Sequence, residues 1–101
     1  DCMNDSRILV ARLEDLAKLA SIAETDFEKA AVYAATRAIV AQFEESEDDF
    51  DGYLLEKITA GAWHINAAIG YDIDNGHDRS HHISSANGEI NTLKRLVRKG
   101  E

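Results

Sequence analysis

Thr25-Asp26-Phe27-Glu28-Lys29-Ala30-Ala31-Val32 decides how this chain folds. A threonine hydroxyl and a glutamate carboxylate three positions later can satisfy each other's backbone donors, the capping box that opens a helix. Behind it, Val32, Ala35, Ile39 and Phe43 recur at the spacing that keeps one helical face buried. Phe27, Ala31, Ala34 and Ala38 form an adjoining stripe, so a helix is expected over about residues 26–45.

Upstream, Leu9, Leu13, Leu16, Ala20 and Ala23 repeat the same alternation, with Ile8, Leu19 and Ile22 widening the face. Asp5 or Ser6 can cap the start, and Glu14 with Lys18 makes an i,i+4 pair on the wet side. The spacing predicts a helix over about 5–23. So few residues join it to the next helix that the two should run antiparallel. Residues 1–4 are expected to lie outside the fold, as a disordered, processed or cloning-derived end.

Downstream, seven carboxylates between Glu44 and Glu56 repel one another and favour a solvated connection around Gly52. A third helix, about 52–70, then presents Leu54, Ile58, Gly61, Ile65 and Ala68, flanked by Trp63 and Ile69. Gly61 on that seam implies close approach of a neighbouring backbone. The polar stretch 71–88 has two readings. In one, Ser80 caps a fourth helix over about 80–99 with Ile83, Ala86, Ile90, Leu93 and Val97 on its seam. In the other, a loop runs to Gly88 and Asn87 caps a short helix.

Proline is wholly absent, and no alternating run suggests a strand. The expected fold is therefore all-α, an up-and-down four-helix bundle occupying residues 1–101 as one domain. Of the 101 residues 45% are hydrophobic, but fifteen are alanines that bury little area, so the core is thin and dimerisation could complete or extend it.

Nineteen acidic against eleven basic side chains give a net charge of −8, which disfavours nucleic acid and anionic membranes and suits a basic partner. No apolar run is long enough to span a bilayer. Cys2 is the only cysteine, which excludes an internal disulfide and points to a reducing compartment, the cytoplasm.

Three groups of side chains are candidates for function. Asp72, Asp74, His77, Asp78, His81 and His82 bring imidazoles and carboxylates close together. On a helix His77 and His81, or Asp78 and His82, would share a face, so His77, His81, His82, Asp74 and Asp78 are candidate ligands for a divalent metal. His64, beside Trp63, is expected to be a structural histidine, and it is also a candidate for the missing ligand from a facing helix. A calcium loop at Asp72–Gly76 fails, because the glycine comes one place early and the closing glutamate is missing.

Glu44, Glu45, Glu47, Asp48, Asp49 and Asp51 form a candidate docking surface for a basic protein. Lys94, Arg95, Arg98 and Lys99 suit either phosphate contact or the negative end of a helix dipole. Tyr33, Tyr53, Tyr71 and Trp63 are expected as core and rim aromatics. The chain has no glycine-rich phosphate cradle, nucleophile elbow, paired zinc cysteines or HExxH.

Phe27-Glu28 followed by Val32-Tyr33 resembles the start of the small four-helix-bundle proteins encoded by intervening sequences in bacterial 23S ribosomal RNA genes, and Leu54 to Ile65 is similar in spacing to their next helix. The resemblance covers about half the chain and would imply a nucleic-acid-associated accessory protein. This sequence departs from that family at Thr59, Ala60 and Ala68-Ile69-Gly70-Tyr71-Asp72, lacks a counterpart of its last helix, and is acidic, so membership is not adopted.

The sequence therefore supports a non-catalytic helical interaction or assembly module, binding itself as a dimer or a basic protein. The alternative is a metal-binding or metal-dependent hydrolytic bundle built on residues 72–82.

Overall fold

Thr25 is extended, and its hydroxyl accepts the Glu28 N–H at 3.0 Å while Glu28 Oε1 accepts the N–H groups of Thr25 and Glu24 at 2.8 and 2.9 Å. This capping box opens the second of four helices in the computed structural model, which describes residues 2–45, 52–72 and 76–99, with side chains from Ser6 to Arg98. The helices are α1 (Cys2–Ile22), α2 (Asp26–Glu44), α3 (Tyr53–Ala68) and α4 (Arg79–Lys99). The backbone bonds of Thr25 and Glu24, then the Thr25 hydroxyl, hold the Glu28 carboxyl below its ordinary value of 4.5. A carboxyl lowered on folding adds stability that is complete above that value and is lost as pH falls through the folded value. Glu28→Gln should therefore lose less stability than the parent between about pH 5 and pH 3 in acid titrations followed by circular dichroism.

The four helices form an up-and-down bundle, and its contacts fix the directions. Glu14 on α1 pairs with Lys94 near the end of α4 at 3.0 Å, while Arg79 at the start of α4 reaches the end of α1. Thr36 on α2 meets Asn66 on α3, and Lys57 on α3 pairs with Glu89 on α4 at 3.2 Å. The hydrogen bond and charge of Glu89 raise the Lys57 pKa. α3 and α4 share the most extensive interface. α1 and α3 touch across the diagonal, whereas α2 and α4 do not among the described residues.

The expected seams are buried except at Ala35, Leu54 and Ile83, which are half-buried against the core. Leu9, Leu13, Leu16, Ala20 and Ala23 line the α1 side, Ile58, Ile65 and Ala68 come from α3, and Ala86, Ile90, Leu93 and Val97 from α4. The flanks differ from expectation. Ile8, Leu19 and Ile22 are exposed, and Val10 and Ala17 widen the α1 face instead. α4 lies on the Val10 side, where Val10 and Val97 line the same cleft, and this decides which flank is covered. On α2 the stripe of Phe27, Ala31, Ala34 and Ala38 faces outward, and Thr36 is buried in its place. Thr36 Oγ1 lies 2.9 Å from both Tyr33 O and Asn66 Oδ1, so this buried hydroxyl is satisfied within and between helices. At Gly61 the neighbours of an added Cβ are side-chain atoms, Leu13 Cδ2 at 3.4 Å and Glu89 Cβ at 3.7 Å, and not the neighbouring backbone that the seam implied.

Two boundaries also differ from expectation. α1 begins at Cys2, so its first turn takes in residues expected outside the fold. α4 begins at Arg79, with the Asp78 carboxylate accepting the His81 N–H at 2.8 Å as its cap, so the longer helix prevails over a loop to Gly88. Asn87 and Gly88 then lie inside α4, and a Cβ at Gly88 would meet nothing within 4 Å. Gly88→Ala should thus raise stability by about 1 kcal/mol through helix propensity, read as a melting temperature about 4–8 °C higher.

α3 ends in a complete Schellman turn. Gly70 is left-handed at φ 86°, its N–H donates to Ala67 O at 3.1 Å, and the Tyr71 N–H donates to Asn66 O at 2.9 Å. The turn delivers Tyr71 onto Tyr33, with ring centroids 4.6 Å apart. No helix among the described residues is long and apolar enough to cross a membrane.

Candidate functional site

All four histidines and the single tryptophan of the chain meet at one end of the α3–α4 interface. The Schellman turn ends α3 there, and the Asp78 cap starts α4. His64 on the last turns of α3 faces His82 on the first turns of α4, with their Nδ1 atoms 3.2 Å apart. His82 is buried at 2% exposure and His64 is half-buried. Trp63 stands edge-on to both imidazoles, at 5.0 Å from His64 and 5.5 Å from His82. His77 and His81 stack at 3.9 Å on the exposed side, with centroids 5.9 and 5.3 Å from His82.

The candidate ligands inferred from spacing therefore separate. His77, His81 and His82 lie together, and His64 joins them through its contact with His82. Asp78 is engaged as the α4 cap. Asp74 lies outside the described residues, and Asp72 belongs to a shallow cleft with Arg37, Thr36 and Asn66. No three His, Cys, Asp or Glu side chains among the described residues are grouped to hold one ion as they stand. The facing pair His64 and His82 could not be read from local spacing, because they lie eighteen positions apart on two different helices.

A second feature lies between α1 and α2. Leu16, Leu19, Ile22, Phe27, Ala31 and Val32 line a groove of about 380 Å³ whose one charged member is Glu28. Its rim carries Leu19 at 51% exposure, Ile22 at 68% and Phe27 at 82%. Leu19, Ile22 and Phe27, three of the large apolar side chains expected to widen the buried faces of α1 and α2, converge here on the surface. Exposed apolar patches of this kind mark interaction sites more often than single surface leucines do.

The charged groups are distributed as follows. Lys94 is paired with Glu14, Arg95 Nη2 donates to Thr92 Oγ1 at 3.4 Å, and Arg98 lines a cleft with Arg7 and Val10. Glu44 and Glu45 are exposed at the end of α2. Glu47, Asp48, Asp49 and Asp51 of the acidic candidate lie outside the described residues, as does the Lys99 side chain.

These features define an all-α four-helix bundle with an apolar groove on one face and a histidine cluster at one end. Compared with known protein families, curated proteins and solved structures, the chain matches none.

Proposed function

We propose that this protein is a helical assembly module without catalytic chemistry of its own, and that it pairs with a second copy of itself across the α1–α2 face. The observation that carries this reading is Phe27, 82% exposed on the rim of an apolar groove. Burying such a ring is worth about 1.5–3 kcal/mol. A surface that offers both a protruding ring and a hollow to receive it suits a two-fold contact, in which each copy's ring enters the other's groove. The small exposed residues Ala30, Ala31, Ala34 and Ala38 beside it would let two α2 backbones come close.

Charge gives the reading a distinctive signature. Two copies at −8 each repel at long range, so added salt should tighten their association. Docking of a basic protein on carboxylates would weaken instead. Sedimentation velocity on the parent chain should show a dimer that strengthens between low and high salt. Phe27→Asp should weaken it about 30-fold or more while leaving the fold's stability within about 0.5 kcal/mol. A strict monomer at millimolar concentration, or a dimer indifferent to Phe27→Asp, would overturn the proposal.

A further inference from the structure

We propose that the histidine cluster is a binding site for a borderline transition-metal ion, zinc(II) in the first instance, held between α3 and α4 by Nδ1 of His64 and Nδ1 of His82. Two imidazole nitrogens on a tetrahedral zinc, each at about 2.0–2.1 Å from the metal, stand about 3.3–3.4 Å apart. The two Nδ1 atoms already stand 3.2 Å apart. They are held there by the most extensive helix–helix interface of the bundle, so little ordering is left for the ion to impose.

With neutral rings, that separation is bridged by one proton, carried on one Nδ1 and shared with the other. An ion taking both Nδ1 atoms needs that proton moved to Nε2 of the same ring, a tautomer change through solvent with no net proton released. Imidazole pairs favour zinc, nickel and copper over magnesium and calcium, which require oxygen donors. The net charge of −8 draws any cation towards the protein. Water fills the remaining positions. His81, whose ring centre is 5.3 Å from that of His82, is the nearest further imidazole for a third ligand after a side-chain rotation.

The site is independent of the α1–α2 groove, so its test stands whatever the oligomeric state. The chelator-stripped full chain is titrated with zinc chloride, followed by calorimetry and by the 15N resonances of the imidazoles. The expected result is one ion per chain, with shifts at Nδ1 of His64 and His82. Nickel or copper chloride should quench the emission of Trp63, which touches both rings. Magnesium and calcium chloride should do neither. His64→Ala and the milder His64→Gln should each weaken zinc binding about 100-fold, whereas His77→Ala alone should weaken it less than tenfold. The proposal is overturned if the parent chain shows no saturable zinc binding or no Nδ1 shift at His64 and His82. It is equally overturned if affinity depends on His77 and His81 but not on His64, which would be a surface imidazole pair only.

Discussion

Leu13→Ala is expected to cost about 3–5 kcal/mol, a large part of the stability of a domain this size. Leu13 is fully buried at the centre of α1, and its Cδ2 atom stands 3.4 Å from where a Cβ at Gly61 would lie. Deleting the isobutyl group opposite a glycine leaves a hollow that Gly61 has no side chain to fill, which places the cost at the upper part of the usual range. Urea titration should show the midpoint falling with the slope unchanged. The same geometry predicts a partial rescue. In the parent, the methyl group of Gly61→Ala gains helix propensity but meets Leu13 at 3.4 Å, so it should gain less than the full propensity. In the Leu13→Ala background that contact is gone, and the substitution should recover about 1 kcal/mol. Strictly additive effects would show that the two positions do not face each other.

Arg79→Ala is expected to cost about 1.5–3 kcal/mol, although Arg79 sits near the surface. Arg79 Nη1 donates to Ala23 O at 2.9 Å and approaches Ala20 O and Ser21 O at 3.3 and 3.4 Å. α1 has no basic residue in its own last turn, so a cation from α4 meets both the unpaired carbonyls and the negative end of its dipole. Arg79→Lys keeps the charge and should lose less, while Arg79→Ala strips both contributions. Thermal melts of the three proteins should rank in that order, and a loss under about 0.5 kcal/mol for Arg79→Ala would reduce the contact to an ordinary surface pair.

Periodicity made the bundle legible because each seam is a local property. The buried residues Leu9, Leu13 and Leu16, then Ile58 and Ile65, then Ile90, Leu93 and Val97 follow from spacing within one helix. What spacing could not decide is which flank of a seam a neighbour covers. Hydropathy favours Ile8, Leu19 and Ile22 over Val10 and Ala17, yet the position of α4 buries the smaller residues and leaves the larger ones out. Thr36 was hidden for a related reason: a threonine is stable in the core only because Asn66, thirty residues away, meets it. The Schellman turn left a sequence signal in Gly70, the glycine just past a helix end, which the seam reading of α3 passed over. The histidine cluster was half legible. Its α4 members are neighbours in sequence, but pairing His82 with His64 depends on the register of two helices across a turn.

The uneven contacts of α2 have a consequence for how the protein breathes. Among the described residues, α2 fully buries only Val32, Thr36, Ile39 and Phe43, and it makes no contact with α4. The other three helices all touch one another, so a trimmed three-helix unit retains mutual support when α2 swings away. Native-state excursions should start there, as a segment tethered at both ends, long before the whole chain melts. Each such excursion would bare the inner side of α1, which makes the helix least committed to its own molecule the one through which crowding, proteases and chaperones first sense the chain.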